Sequence, residues 1–189
     1  MHELMKKILL SGAFFALLLA QACTSKQQSE QTSTTETAPV ESATSQTAEA
    51  ALTERLTALG LTTNSHWRGV KLGDSIATVR ATEKAALFES DASHLGYTLE
   101  FPNLESVDML YRIGSGQTVN GIDVDLYLND ASSATAYQSE LTKYFDARYK
   151  SDGTADTWMG EKRETVMLKN VSKGKDYGLK IKFAAAPAI

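Results

Sequence analysis

Asp123 and Asp125 are the pair of side chains whose type and spacing come nearest to chemistry in this chain. They alternate with Ile122, Val124 and Leu126, so a strand sends both carboxylates out of one face about 6–7 Å apart. Two carboxyls at that separation can divide acid and base roles in glycoside hydrolysis, provided that one sits in a cleft that raises its pKa. Period-two spacing instead gives the wet side of an amphipathic strand, where Tyr127 follows and Asp108 and Arg112 emerge from a neighbouring strand. Weak calcium binding by these carboxylates is a further reading. His66 and His94 are the histidines beyond the extreme N-terminus, and neither has the spacing of a metal motif or a nucleophile partner. Asp152-Gly153-Thr154-Ala155-Asp156 lacks the order and the closing glutamate of a calcium loop, so it is expected to be a turn. The chain has no G-x-S-x-G, no G-x-G-x-x-G and no G-x-x-x-x-G-K-[ST] motif. No catalytic residue, metal or cofactor is therefore expected.

Cys23 is the single cysteine among 189 residues, which excludes an internal disulfide and a cysteine metal cluster. Its setting is informative. Lys6 and Lys7 precede a run of about a dozen apolar residues from Ile8 to Leu19, and the small-residue segment Ala20-Gln21-Ala22 leads into the cysteine. Basic, apolar and small segments in that order form a secretory signal, and a helix needs ~20 apolar residues to span a bilayer. Leu19-Ala20-Gln21-Ala22-Cys23 resembles the lipobox of bacterial lipoproteins. That resemblance implies removal of residues 1–22 and lipidation of Cys23 as the first residue of the mature chain. It also implies attachment to the cell envelope through the lipid anchor. In that family Asp after the cysteine mostly marks inner-membrane retention; Thr24 at this position implies the outer membrane.

Residues 24–47 are almost wholly Ser, Thr, Gln, Glu and Ala, a composition that cannot build a core. They are expected to act as a tether with a typical span of ~25–30 Å. The mature chain would carry 17 basic and 22 acidic side chains, a balance that disfavours nonspecific nucleic-acid binding. From Lys162 onward the charge inverts, with seven basic and two acidic residues.

The remaining residues, 48–189, are the size of one domain. Helical spacing of Ala48, Ala51, Leu52, Leu56 and Leu59 predicts a short helix between Thr47 and Gly60. A second helix is predicted from the Asp74-Ser75 cap to about Phe88, and a third from the Asp130 cap to about Tyr149. Strands are predicted over Leu95–Phe101, Val107–Ile113 and Ile122–Leu128, then around Trp158, over Thr165–Asn170 and over Tyr177–Phe183. The fold expected is a two-layer α+β domain: an antiparallel sheet of about six strands with helices on one face, built as two αβββ units. The segment Gly69-Val70-Lys71-Leu72-Gly73-Asp74-Ser75-Ile76-Ala77-Thr78-Val79, entering a helix, resembles the small outer-membrane-assembly lipoproteins and the β-lactamase-inhibitor-like folds. Protein binding is what this resemblance implies.

Three functions fit these observations. The expectation is a non-enzymatic interaction module that meets an envelope protein or polymer through Asp108, Arg112, Asp123, Asp125, Tyr127, Lys180 and Lys182. The alternatives are a small-ligand or lipid carrier, which needs a cavity between helices and sheet, and a hydrolase using Asp123 and Asp125.

Overall fold

A computed structural model describes residues 51–186. Cys23 and the residues of the expected signal, tether and Thr47 cap lie outside the described residues. The elements run α1 (Glu54–Ala58), α2 (Ile76–Thr82), β1 (Ala86–Ser90), β2 (His94–Glu100), β3 (Ser106–Ile113) and β4 (Val119–Leu128). They continue with α3 (Ala131–Asp146), β5 (Lys150–Ser151), β6 (Thr157–Met159), β7 (Thr165–Asn170) and β8 (Tyr177–Ala184). The class is α+β, but the sheet has eight strands rather than about six, in the order β1-β2-β3-β4-β8-β7-β6-β5 with every pair antiparallel. Each half thus ends in a four-strand meander, preceded by α1 and α2 in the first half and by α3 in the second, not in an αβββ unit, and the fourth strands of the two meanders pair at the centre.

The two strands beyond the sequence expectation sit at the sheet edges, and β1 has a specific cause. Ser75 caps α2 as expected, its side chain accepting from the Thr78 N–H at 3.1 Å. The helix does not reach Phe88. It ends at Glu83, which takes an extended conformation because its carboxylate turns inward to Arg68 and to the N–H groups of Lys84 and Ala85. With the helix broken there, Ala86–Ser90 pairs on β2, with a register shift between Leu87 and Glu89. Phe88 then lies across Gly96, where a Cβ would meet its ring at 2.7 Å. Replacing Ser75 with Ala leaves the Thr78 N–H without that acceptor and is expected to lower stability by about 1 kcal/mol, read by urea denaturation.

One face of the sheet carries the core. Leu95, Tyr97, Val107, Met109, Tyr111, Ile122, Val124, Leu126, Val166, Leu168, Leu179, Ile181 and Phe183 alternate inward along their strands and are buried. Against them pack Leu56, Val79, Tyr137, Leu141, Tyr144 and Phe145 from the helices, and Trp67 and Val70 from the loop between α1 and α2. That loop folds back on itself: Trp67 and Val70 exchange backbone hydrogen bonds across Arg68 and Gly69, whose φ of 48° and 84° suits a two-residue primed turn. Phe145 fixes the second meander, its ring touching those of Trp158 and Phe183 with centroids 5.2 and 5.9 Å apart.

Candidate functional site

The second face of the sheet collects all seven residues expected to meet a partner. Register builds it in rows. Leu110, Asp123, Lys182 and Met167 are successive partners across β3, β4, β8 and β7. The next row on the same face is Asp108, Asp125, Lys180 and Lys169. Tyr127 stands one step beyond Asp125 and is half exposed, while Arg112 lies one step the other way, folded across Gly121.

Charges on this face are organised as cross-strand contacts. Lys180 Nζ lies 3.0 Å from Asp125 Oδ1 and Lys182 Nζ 3.9 Å from Asp123 Oδ1. Arg112 Nε lies 3.2 Å from Asp123 Oδ2 without the alignment of a hydrogen bond, so this contact is electrostatic. The hydrogen bond to Asp125, together with the carboxylate charge, raises the Lys180 ammonium above its ordinary value. Partial burial, and the charges of Asp108 and Asp125, raise the Tyr127 hydroxyl. Each of Asp123 and Asp125 thus faces at least one cation on a neighbouring strand. Reversing Asp123 to Lys puts a third cation between Arg112 and Lys182. Like charges on adjacent strands repel by a few tenths to 1 kcal/mol, so Asp123→Lys is expected to destabilise by about 1 kcal/mol more than Asp123→Asn, with the difference shrinking in 1 M salt.

Sequence reasoning finds the charged members of this face but not its apolar ones. Leu110, Met159, Met167 and Phe88 also reach it, the last three half exposed. Strand parity is the signal that marks Leu110 and Met167, because each shares a phase with charged neighbours on its strand.

A second feature lies at one end of the sheet, a cleft of about 760 Å³. His66, Asn120, Arg148, Tyr149, Lys162 and Glu164 line it. His66 Nδ1 accepts from the Leu72 N–H at 3.0 Å, which leaves the proton on Nε2, 3.6 Å from Glu164 Oε1. Burial lowers the His66 pKa and the nearby Glu164 opposes the shift, so the ring is neutral at pH 7. Arg148 stacks over the rings of Tyr144 and Tyr149, and its guanidinium donates to the carbonyls of Thr62 and Ser65 at 2.8 and 2.6 Å. Both groups brace the loop from Thr62 to Leu72 from within. Between helices and sheet, by contrast, the space is filled by Trp67, Tyr111, Tyr144, Phe145 and Phe183.

In the turn from β1 to β2, Glu89, Asp91 and His94 come within 4.8 Å of one another, a convergence that their sequence spacing does not suggest. His94 Nε2 is 3.0 Å from Glu89 Oε2, a hydrogen bond that raises the imidazole pKa. Asp91 Oδ1 accepts from the Ser93 N–H, the Ser93 hydroxyl and the His94 N–H. These contacts make the trio a brace for the turn.

No protein-family model matches the chain, and neither a characterised protein nor a solved structure is significantly similar to it.

Proposed function

We propose that the mature chain is a lipid-anchored, non-enzymatic interaction module of the bacterial cell envelope, in which Cys23 carries the anchor, residues 24–47 form the tether and the α+β domain meets an envelope protein or polymer. The observation that carries this reading is the second sheet face. Asp108, Arg112, Asp123, Asp125, Tyr127, Lys180 and Lys182 share it, charge-patterned and interleaved with exposed methionine. Such a surface gives orientation and association rate through complementary charge rather than chemistry. The lipobox-like sequence and Thr24 support an outer-membrane address.

The test is crosslinking in intact cells from a photoreactive residue at Tyr127. Specific adducts are expected from this position, and Asp125→Lys is expected to reduce them at least several-fold while the fold persists. Adduct yield that is independent of the charges on the face would clear it of involvement.

The end cleft favours a second reading, binding of a small ligand, because its volume lies in the range of ligand pockets and Glu164 Oε2 is buried there without a hydrogen-bond partner. Such a ligand would sit at the end of the sheet, not between the layers as a lipid carrier holds its cargo. Stabilisation of the protein by a small-molecule library, lost in Glu164→Gln, is its readout.

A further inference from the structure

We infer that the partner which best fits the second sheet face is a second copy of this chain, docked face to face about a two-fold axis that runs along the strands between β4 and β8. The inference rests on the interaction reading above and names its occupant. Two observations carry it.

The first is the order of charges. Across β3, β4, β8 and β7 one row reads apolar, acid, base, apolar (Leu110, Asp123, Lys182, Met167), and the next reads acid, acid, base, base (Asp108, Asp125, Lys180, Lys169). A two-fold axis between β4 and β8 exchanges the halves of each row. Leu110 of one copy then faces Met167 of the other, Asp123 faces Lys182, Asp125 faces Lys180 and Asp108 faces Lys169. Every acid meets a base and every apolar residue meets an apolar one, the self-complementarity that an isologous interface requires. Stacked sheets cross at about 30°, which displaces the β3 and β7 columns by roughly one residue, within reach of a lysine side chain.

The second observation is a cost in the single copy. Asp108 stands directly opposite Asp125, and Lys169 directly opposite Lys180. Like charges in those positions destabilise a sheet. Among the described residues Asp125 and Lys180 offset each other, but neither Asp108 nor Lys169 takes part in an ion pair. The second copy supplies both missing counter-charges. Size agrees as well: six strands at about 4.8 Å and seven residues at about 3.3 Å present a face of ~650 Å², close to the ~800 Å² per partner of a standard interface.

The test uses the full-length chain in mild detergent, with native mass spectrometry and sedimentation reporting dimers. Asp108→Lys and Lys169→Glu are the variants, and each replaces a like-charge neighbour by an opposite one, so neither threatens the fold. In either variant alone, residue 108 faces a like charge at residue 169 of the other copy, and dimerisation is expected to weaken at least about tenfold. Mixed together, the two variants regain complementary contacts, and a heterodimer of near wild-type affinity is expected. A wild-type chain that stays monomeric at 100 µM, single variants that dimerise as the wild type does, or a mixture without heterodimer would each overturn the inference. The photoreactive residue at Tyr127 separates this failure from that of the wider reading. If the wild type is monomeric but charge-dependent adducts to another envelope component persist, only self-association falls; if those adducts are absent too, both fall.

Discussion

Replacing Glu83 with Ala is expected to lower the stability of the domain by about 3–5 kcal/mol. Glu83 has no side-chain surface in contact with solvent, and Arg68 opposite it has 14%. The guanidinium grips the carboxylate through two donors of one edge: Nε lies 3.0 Å from Oε2 and Nη2 lies 2.9 Å from Oε1. The Tyr111 hydroxyl donates to Oε2 at 2.9 Å, and the N–H groups of Lys84 and Ala85 donate to Oε1. Removing the carboxylate leaves a cation and three donors without their acceptor in a largely buried site. At about 3–4 °C per kcal/mol for a domain of this size, the melting temperature should fall by roughly 10–20 °C. The double replacement of Glu83 by Leu and Arg68 by Met removes both charges, and it should recover much of the loss because no buried ion is left unpartnered.

The same network sets a pH dependence. Burial alone would raise the Glu83 carboxyl, but Arg68, the Ala85 N–H and the Tyr111 hydroxyl together hold it below the ordinary value of 4.5. The folded state therefore binds this proton less tightly than the unfolded chain, and the stabilisation is full above about pH 4.5 and is lost as pH falls through the folded value. Melting curves between pH 7 and pH 3 should show the wild type losing stability below pH 4.5. Glu83→Leu combined with Arg68→Met should flatten part of that slope; an unchanged slope would place the acid sensitivity elsewhere.

Glu83 also marks the boundary between what the sequence makes legible and what it does not. Period-two runs identify β3 and β4, and Asp130 identifies the start of α3, its side chain accepting from the Ser133 N–H at 2.8 Å. These signals are local, because alternation and capping are written within a few residues. The end of α2 is decided by Arg68, fifteen positions upstream, and that contact depends on the Arg68-Gly69 turn, which places the guanidinium over the helix end. Leu87, at helical spacing from Val79, therefore misleads. The strand β5 is similarly non-local: Lys150 and Ser151 have no pattern of their own and are strand only because Met159 and Trp158 lie opposite. Arg148 continues the apolar stripe of α3 by spacing, yet it lies past the helix end at Asp146 and serves two carbonyls of a loop more than eighty residues away.

The candidate face follows the same division. Its charged residues are legible because strand parity separates them from the buried set, and one face holds all seven. The order of the rows is not legible, since it depends on β4 pairing with β8 across an intervening helix and three strands. Lys169 therefore joins the face only once register places it beside Lys180.

On the proposed lipoprotein reading, Cys23→Ser is expected to abolish lipidation completely. Cys23 is the only thiol in the chain, so no second residue can take the acyl group. The effect on location should be equally large, because acyl chains contribute ~0.8 kcal/mol per buried methylene and two or three of them hold a protein where one does not. Among residues 51–186 no helix is long and apolar enough to cross a membrane. Two measurements follow. Metabolic labelling with a fatty-acid analogue should mark the wild type and leave the variant blank. Fractionation should find the variant either as unprocessed precursor, about twenty residues longer, or as soluble protein cleaved at a neighbouring small residue. Label retained on the serine variant would remove the lipoprotein reading. Loss of label with unchanged membrane recovery of a processed chain would show instead that the domain itself binds the envelope, and the sheet face would be the first surface to examine.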